Sequence, residues 1–265
     1  MKILVVNDDG IQHHGIWELA TAMEHLGDVV VYSPDRNYSG AGMSVSLTNE
    51  FHLRRVDPPS GFTTQVSGFT GDATPATLAA LGCAFAFNSD PDIIVSGINP
   101  GWNTGAQPYV CSGTVGAARV AVDRGFTGVA VSHAPNTNEN KRAIARATAR
   151  FIEAAHVHKV LGQPQLVNIN TPGSYASDTP VRLTRPARFT LFADAAPDGE
   201  PSANGELTTM RLRYGNVFDG STGDGDEIAA LRDGVVSISV TEPLTHAILM
   251  EDPWPAVAAA FAVDG

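Results

Sequence analysis

The stretch Ile3-Leu4-Val5-Val6-Asn7-Asp8-Asp9-Gly10 decides the fold class of this chain. Its first half is a run of β-branched and aliphatic residues, which is typical of a strand buried on both faces of a parallel sheet. Apolar residues then follow helical spacing from Ile16 to Leu26, and Gly27 can end the helix. The run from Val29 to Tyr32 predicts a second buried strand. Together these elements form a βαβ unit, which indicates an α/β sheet.

The same order of strand, loop and helix continues to residue 171. It predicts helices at Thr74 to Phe87, Thr114 to Asp123 and Asn140 to Lys159, and strands at Asp92 to Ser96, Gly128 to Ser132 and Leu166 to Asn170. Alternating residues at Ser44 to Leu47 and at Phe51 to Leu53 predict an antiparallel excursion. We therefore predict a Rossmann-like αβα sandwich with a mostly parallel sheet and a β-rich C-terminal extension.

The composition changes after Thr171, where proline and glycine become frequent. Long β-strands are predicted at Val181 to Phe192 and at Thr208 to Val217. We divide the chain into a catalytic core (1–171), a β-rich extension (172–225) and a C-terminal part (226–265) that returns to the core or to a partner. The last part is predicted to contain a short helix at Asp226 to Arg232, a strand at Val235 to Val240 and a terminal helix at Trp254 to Val263.

The composition also excludes several classes of protein. Among 265 residues, 17 Lys and Arg against 28 Asp and Glu give a net charge of −11, which disfavours binding to a nucleic acid duplex or to an anionic membrane. Cys83 and Cys111 are too few for a disulfide scaffold. The sequence has neither a secretory leader pattern nor an apolar stretch near the roughly 20 residues that a bilayer requires. We expect a soluble cytoplasmic protein.

Four loops rich in glycine and oxygen-bearing side chains follow predicted strands or precede helices. They are Asn7 to Gly10, Asp35 to Gly42, Ser96 to Gly105 and Ser112 to Thr114. Ligands bind in open α/β sheets outside the carboxyl ends of the strands, so loops that are distant in sequence can converge there. The sequence therefore predicts one site built from all four loops.

The first of these loops places two carboxylates side by side. Asp8 and Asp9 repel each other, and a hard cation such as Mg²⁺ or Mn²⁺ would compensate that repulsion. Taken alone, a capped Asp-Gly turn explains the pair equally well. The neighbouring histidines, His13 and His14, are interpreted as solvated or gating residues of the same loop rather than as zinc ligands, since they have no further His or Cys partners.

The third and fourth loops offer groups that suit a metal or a phosphate. The amides of Asn99 and Asn103 can bind a cation through oxygen or donate hydrogen bonds to a phosphate. The segment from Ser112 to Thr114 precedes a predicted helix, whose free N–H groups form an anion site. An ordinary N-cap is the alternative explanation of that segment.

Together, these motifs resemble the SurE (survival protein) family of metal-dependent 5′/3′-nucleotidases. The resemblance rests on Val6 to Ile11, on Pro34-Asp35-Arg36 with Ser39-Gly40, on Ser96 to Asn99 with Gly101 and Asn103, and on Ser112 to Val115. It implies Asp8, Asp9, Ser39 and Asn99 as metal ligands, and Asn103, Ser112, Gly113 and Thr114 at the phosphate. It further implies Asp8, Asp9, Asn103, Ser112 and Thr114 as catalytic residues. The family's fold implies that the β-rich extension, residues 172–225, is exchanged between subunits. The chain departs from the family at Gly68-Phe69-Thr70, where a Thr-Pro pair is missing although Asp72 is present.

The expected activity is hydrolysis of nucleoside 5′-monophosphates, and also 3′-monophosphates, with one Mg²⁺ or Mn²⁺ per subunit of a homodimer or homotetramer. One alternative is a phosphatase for another small phosphomonoester or a short polyphosphate. Another is a Mg²⁺-binding receiver-like module, although the strand end at Ser132-His133 lacks the lysine that such a module needs. Direct attack by water and a role of Asp8 as base or nucleophile both remain open at this stage.

Overall fold

A computed structural model describes residues 1–47, 50–106, 108–134, 140–187, 192–197, 210–214 and 225–241. The strands are β1 (Lys2–Val6), β2 (Asp28–Pro34), β3 (Arg54–Val56), β4 (Ser67–Gly71), β5 (Ile93–Pro100), β6 (Thr127–His133), β7 (Leu166–Thr171), β8 (Val181–Thr184), β9 (Phe192–Pro197), β10 (Met210–Tyr214) and β11 (Val236–Thr241). The helices are α1 (His14–Met23), α2 (Pro75–Phe85), α3 (Pro108–Cys111), α4 (Gly113–Asp123), α5 (Lys141–Val157) and α6 (Glu227–Arg232). The predicted βαβ, α2, α4, α5 and α6 elements are confirmed.

Nine of these strands form one sheet in the order β3-β4-β2-β1-β5-β6-β7-β11-β8. The central strands β4, β2, β1, β5, β6 and β7 are all parallel. At one end β3 pairs antiparallel with β4, and at the other β11 pairs antiparallel with β7 and parallel with β8. The predicted mostly parallel α/β class is therefore confirmed.

The first strand is buried on both faces, as its sequence predicts. Ile3 and Val5 belong to a core cluster with residues of α1 and α5, whereas Leu4 and Val6 belong to a second cluster with residues of α2 and α4. Successive side chains of a strand point to opposite faces, so one strand contributes to both layers. Burying each of these side chains stabilises the fold by about 1.5–3 kcal/mol, and the helices on the two faces complete an αβα sandwich.

The antiparallel excursion lies later in the chain than predicted. Ser44 to Leu47 and Phe51 to Leu53 contain no strand, and the antiparallel pair is β3 with β4, a strand that the sequence does not predict. The backbone of the first segment bonds to α2 instead: Thr74 Oγ1 donates to the Ser44 carbonyl oxygen over 2.5 Å, and the Ser46 N–H donates to Thr77 Oγ1 over 3.1 Å. Val45 and Leu47, the apolar residues of this segment, are both exposed, so its alternating pattern does not correspond to a buried face.

The C-terminal third is only partly described. The strand β8 covers the start of the predicted strand Val181 to Phe192, and residues 188–191, 208–209 and 215–217 of the two predicted long strands lie outside the described residues. The strands β9 and β10 form a separate antiparallel pair. The strand β11 lies close to its predicted bounds and joins the main sheet. The predicted terminal helix at Trp254 to Val263 lies outside the described residues. The division into 1–171, 172–225 and 226–265 stays a prediction. In the described parts of the chain, no helix is both long and apolar enough to cross a membrane.

Candidate metal and phosphate site

The first two predicted loops meet at the carboxyl ends of β1 and β2. The Tyr38 N–H donates to the backbone oxygen of Asp8 over 2.7 Å, and the Ile11 N–H donates to that of Pro34 over 2.8 Å. Inside the first loop the Asn7 side chain accepts a hydrogen bond from Ser33 Oγ and donates one to the Gly10 carbonyl oxygen. These bonds hold the loop that carries the two carboxylates in a fixed shape against the second loop.

Asp8 is only 3% exposed and lies against the start of α4. Thr114 Oγ1 donates a hydrogen bond to Asp8 Oδ1 over 2.5 Å. A Cβ atom added to Gly113 would lie 2.7 Å from Asp8 Cβ, so only glycine allows this close approach. Burial raises the pKa of Asp8, and the hydrogen bonds from Thr114 and Gly113 oppose that rise. The fourth predicted loop is therefore in direct contact with the first.

Asp9 is the second buried carboxylate of the pair. Burial and the neighbouring Asp8 raise its pKa to about 8, while the positive charge of Lys141 opposes the rise. Asp9 Oδ2 has no hydrogen-bond partner among the described residues and lies 3.8 Å from His13 Nδ1. A hard cation would satisfy this oxygen and remove the repulsion between the two carboxylates. The donor set thus fits a divalent metal ion.

Ser39 lies on the exposed second loop, which is held by hydrogen bonds beside it. Its backbone N–H donates to Asn37 Oδ1 over 2.8 Å. Tyr38 Oη donates to Asp72 Oδ1, and Arg36 Nη2 forms an ion pair with the same oxygen over 2.6 Å. Asp72 follows directly after β4, the segment in which the sequence departs from the family pattern. That aspartate therefore supports the loop that carries Ser39.

Asn99 lies near the end of β5, which extends beyond its predicted end at Ser96 and shifts register there against β6. The Asn99 amide nitrogen donates to the Gly101 carbonyl oxygen over 2.6 Å. Because this bond uses the donor side of the amide, the side-chain carbonyl oxygen is the atom suited to a cation. The side chain is half-buried, at the same sheet edge as the carboxylates.

Asn103 is 6% exposed and is anchored at both its backbone and its side chain. Its N–H donates to Asn170 Oδ1 and its Nδ2 donates to Ser132 Oγ, each over 2.8 Å. Asn168 Nδ2 donates to its carbonyl oxygen over 2.7 Å. An amide NH₂ group carries two hydrogens, and the bond to Ser132 uses one of them. The ends of β6 and β7 thus fix the position of Asn103.

Ser112 is the N-cap of α4, as the alternative interpretation of its segment predicts. Its Oγ accepts a hydrogen bond from the Val115 N–H over 3.1 Å. The N–H groups of Gly113 and Thr114 interact with the carboxyl group of Asp8 instead, so the start of this helix favours a negative charge. Gly42 in the second loop donates its N–H to the Cys111 carbonyl oxygen over 2.9 Å. The loop of Ser39 therefore contacts the start of α4.

Two basic residues beside Asp9 belong to no predicted site. Lys141, the first residue of α5, places its Nζ 3.4 Å from His13 Nε2. Burial lowers the pKa of Lys141, whereas Asp9 and Glu18 raise it, and burial is the main cause that lowers the pKa of His13 to about 4. His13 is only 22% exposed, so it is less solvated than we predict. No sequence signal distinguishes Lys141 from an ordinary first residue of a polar helix.

The geometry brings all the predicted loops to one edge of the sheet. Within the described ranges, no group of three or more His, Cys, Asp or Glu side chains is placed to hold a metal. A metal ion at Asp8 and Asp9 would therefore need neutral oxygen ligands as well. Such a set suits Mg²⁺ or Mn²⁺ better than zinc, which favours nitrogen and sulfur ligands. The fold and the site define an α/β protein with an acidic, oxygen-rich site beside a helix N-terminus.

Comparisons with known proteins identify the family. The model of the survival protein SurE family matches residues 3–192. The chain is 32% identical over 247 residues to the 5′-nucleotidase SurE of Geobacter metallireducens, with 90% of each chain covered. It is 30% identical over 260 residues to the 5′-nucleotidase SurE of Dehalococcoides mccartyi, covering 96% of this chain and 91% of that protein. The chain therefore belongs to the SurE family.

A solved structure supports the same assignment. The SurE protein from Aquifex aeolicus superposes on this chain with a TM-score of 0.78 at 26% sequence identity. The match covers 96% of this chain and 99% of that one.

Proposed function

We propose that this protein is a divalent-metal-dependent phosphomonoesterase that hydrolyses nucleoside 5′-monophosphates, and also 3′-monophosphates, to nucleoside and phosphate. One observation carries the proposal: a buried carboxylate pair lies in hydrogen-bonding contact with the N-terminus of α4 through Thr114. This contact supports a site in which cation ligands would lie beside an anion site, an arrangement that suits hydrolysis of a phosphate monoester. The relatives named 5′-nucleotidase support nucleotides as the substrate class.

The residues that would hold one Mg²⁺ or Mn²⁺ per subunit are Asp8, Asp9, Ser39 and Asn99. Two carboxylates and two neutral oxygens are a donor set of the kind that hard cations prefer. The unpartnered Oδ2 of Asp9 supports this assignment. When bound, the ion supplies positive charge that neutralises the carboxylates and polarises a phosphoryl oxygen.

The phosphate would lie at Asn103, Ser112, Gly113 and Thr114. The positive end of the α4 dipole and the amide of Asn103 can stabilise the phosphoryl oxygens as negative charge spreads over them. Thr114 has a second role, because its hydroxyl fixes the orientation of Asp8. In the reaction the bond between phosphorus and the nucleoside oxygen breaks, the oxygen of water bonds to phosphorus, and the departing oxygen takes up a proton. In the route by direct attack of water, Asp8 or Asp9 would accept the proton of the water.

The assembly and compartment are also part of the proposal. We assign the chain to a homodimer or homotetramer in which residues 172–225 are exchanged between subunits. The antiparallel pair of β9 and β10, separate from the main sheet, supports a projecting extension. Cys83 and Cys111 are both free thiols, which supports a reducing, cytoplasmic compartment. Light scattering of the purified protein tests the assembly, and a monomeric mass at micromolar concentration would exclude it.

One alternative substrate class is favoured by a specific observation. The departure at Gly68-Phe69-Thr70 lies within β4, and Phe69 packs on the ring of Tyr32 with 5.1 Å between centroids. This strand leads directly to Asp72, which supports the loop of Ser39. A changed β4 could therefore change which phosphomonoester, or short polyphosphate, fits the site. The receiver-like alternative has lost its support, because the relatives are nucleotidases.

A substrate panel tests the proposed function. Phosphate release would be measured from 5′-AMP, 5′-GMP, 3′-AMP, glucose 6-phosphate and tripolyphosphate, with Mn²⁺, with Mg²⁺ and with EDTA. We expect the highest kcat/KM with a nucleoside monophosphate, and no release in EDTA. A preference for the sugar phosphate or tripolyphosphate would support the alternative substrate class. Undiminished release in EDTA would exclude a metal-dependent enzyme.

A further inference from the structure

Glu227 is a buried carboxyl group that the proposed chemistry does not use. It is the first residue of α6 and is 0% exposed. Its Oε1 accepts hydrogen bonds from the N–H groups of Gly105 and Ala187, and its Oε2 accepts one from Ser239 Oγ. Burial raises its pKa to about 7, and these hydrogen bonds oppose the rise. Burying a carboxyl group destabilises the folded state unless the group is hydrogen-bonded. The groups that donate to Glu227 therefore determine whether it can be buried.

The Gly105 contact places Glu227 next to the loop of the phosphate site. Gly105 follows Asn103 by two residues and has a φ of 87°, a backbone conformation that favours glycine. It lies between the end of β5 and the short helix α3, whose last residue precedes Ser112. The carbonyl oxygen of Gly105 also accepts a hydrogen bond from the Tyr109 N–H over 3.4 Å. Holding Gly105 therefore fixes the path of the chain between Asn103 and Ser112.

Glu227 also lies where the two ends of residues 188–224 come together. The Arg185 N–H donates to the Gly225 carbonyl oxygen over 3.2 Å, and the Glu227 N–H donates to the Arg185 carbonyl oxygen over 3.1 Å. The Ala187 N–H bonds to the Glu227 carboxyl group itself. One side chain thus connects the base of the C-terminal extension with the loop at the phosphate site.

We infer that Glu227 is a positioning residue, whose carboxyl group holds the Gly105 N–H and thereby keeps the loop 101–106 in place for the substrate phosphate. The residue does not touch the phosphate; it acts through the loop that carries Asn103. Through the same carboxyl group, the position of this loop depends on the base of the extension. For its effect on catalysis this inference rests on the proposed nucleotidase activity, but the holding of the loop can be tested without it.

Hydrogen exchange of the backbone amides of residues 101–106, without metal or nucleotide, tests the contact directly. Hydrogen bonds to charged groups contribute about 1.5–3 kcal/mol, so Glu227→Ala should increase exchange of the loop by about ten- to a hundredfold. Glu227→Gln should exchange like the wild type, because its amide oxygen still accepts the Gly105 N–H. Glu227→Asp, which keeps the charge but is one methylene shorter, should behave like Glu227→Ala and replaces it if the alanine variant does not fold.

Asp226→Ala is the matched control. Asp226 Oδ1 accepts hydrogen bonds from the N–H groups of Ile228 and Ala229 and so caps α6. Its removal destabilises the same helix but leaves the Gly105 contact intact. We expect wild-type exchange of the loop in Asp226→Ala. Equal loop exchange in Glu227→Ala, Glu227→Asp and Asp226→Ala would overturn the inference.

Steady-state hydrolysis of 5′-AMP with Mn²⁺ gives the second readout. The KM of Glu227→Ala or Glu227→Asp should rise about tenfold or more, that of Glu227→Gln should stay near wild type, and that of Asp226→Ala should not change. An equal rise of KM in Asp226→Ala would show a merely structural effect and overturn the catalytic part of the inference. If the wild type releases no phosphate from any nucleotide, the proposed function fails, while the exchange experiment still decides whether Glu227 holds the loop.

Discussion

Asp8 and Asp9 differ in how far the protein satisfies their oxygens. Asp8 accepts a hydrogen bond from the hydroxyl of Thr114 and lies against the N-terminus of α4. Asp9 lies beside Asp8 with an Oδ2 that no hydrogen bond of the described residues satisfies, and its pKa is raised to about 8. Two buried like charges destabilise a protein unless a proton or a cation compensates them. A bound cation would compensate this repulsion and would thus explain why two adjacent carboxylates are buried here.

The variant Asp9→Asn tests that reason. A cation present at a hundredfold its Kd stabilises the folded state by about 2.7 kcal/mol, so Mn²⁺ should raise the Tm of the wild type. We expect that rise to disappear in Asp9→Asn, while the metal-free variant is at least as stable as the metal-free wild type because the repulsion with Asp8 is gone. Thermal unfolding with Mn²⁺ and with EDTA measures both. An unchanged Mn²⁺-dependent rise in Tm would contradict the assignment of Asp9 as a ligand.

Thr114→Val removes the hydroxyl that orients Asp8 at nearly constant volume. Leaving a buried carboxylate oxygen without its donor costs about 1–3 kcal/mol of folding free energy, and we expect phosphate release from 5′-AMP to fall by at least about tenfold. Thr148→Val is the control, since Thr148 Oγ1 donates to the Ile144 carbonyl oxygen within α5, away from the site. Urea unfolding and initial rates measure both variants. Equal activity losses in both would show that only stability matters.

At the scale of elements, α4 is the helix on which the site is assembled. Its glycines allow close approach: a Cβ atom at Gly116 would lie 2.2 Å from the Gly42 carbonyl oxygen, and one at Gly113 would lie 2.7 Å from Asp8 Cβ. These contacts place the loop of Ser39 and the loop of Asp8 on one helix end. Motifs that are distant in sequence therefore lie in loops that pack on the same helix.

Gly116→Ala tests this packing. The added methyl group must displace the backbone of Gly42, so we expect a loss of about 1–3 kcal/mol in stability together with weaker Mn²⁺ binding. Gly162→Ala is the control, because Gly162 has a φ of 86° and open space around it, so this variant measures backbone strain without a clash. Calorimetric titration with Mn²⁺ and urea unfolding give the two quantities. Unaltered Mn²⁺ affinity in Gly116→Ala would show that the packing of the loop of Ser39 on α4 does not affect metal binding.

Elements with strong patterns could be predicted from sequence, and weakly patterned ones could not. The strands β1, β5 and β6 contain the apolar runs Ile3 to Val6, Ile93 to Val95 and Val129 to Val131, because helices cover both faces of the sheet there. By contrast, β4 has the sequence Ser67-Gly68-Phe69-Thr70-Gly71. Its Gly68 is needed because a Cβ atom there would lie 2.7 Å from the Trp17 ring. That contact is between residues far apart in sequence, so local composition gives no sign of it.

At the scale of the whole molecule, the sequence allows the ligands of the candidate site to be proposed, but it does not indicate the residues that act through tertiary contacts. The ligand types at Asp8, Asp9 and Asn99 follow from loop position and oxygen chemistry, and their roles from the family resemblance. Glu227 and Lys141 reach the site only because α6 and α5 pack against its loops. Glu227 contacts Gly105, and Lys141 contacts His13. A charged residue at the start of a helix is ordinary on any surface, so burial is the information that the sequence lacks.

The buried Glu227 predicts a pH dependence of global stability. Its folded pKa of about 7 exceeds the ordinary value of 4.5, so between these values the folded state binds more protons than the unfolded state. The free energy of unfolding should therefore fall as pH rises from about 4.5 through 7, by up to about 3 kcal/mol, and be unaffected by this group below that window. Asp226 and Tyr109 are the other ionisable groups that interact with it.

Urea unfolding of wild type and Glu227→Gln at pH 5, 6, 7 and 8 measures this contribution. Asp8 and Asp9 also have raised pKa values, but they are the same in both proteins, so the difference between the two curves isolates Glu227. We expect the wild type to lose stability relative to the variant as pH rises. Parallel curves would mean that Glu227 has the same pKa in the folded and unfolded states.

Metal-dependent hydrolysis that requires Asp8 is tested most directly by initial rates of phosphate release from 5′-AMP. The rates would be measured for wild type, Asp8→Asn and Asp28→Asn, each with Mn²⁺ and with EDTA. Asp28 is an exposed carboxylate at the opposite end of the parallel strands, so its variant controls for the loss of a charge. We expect Mn²⁺-dependent release by wild type and Asp28→Asn and none by Asp8→Asn. Near-normal release by Asp8→Asn in Mn²⁺ would contradict the role of Asp8 in a metal-dependent hydrolysis.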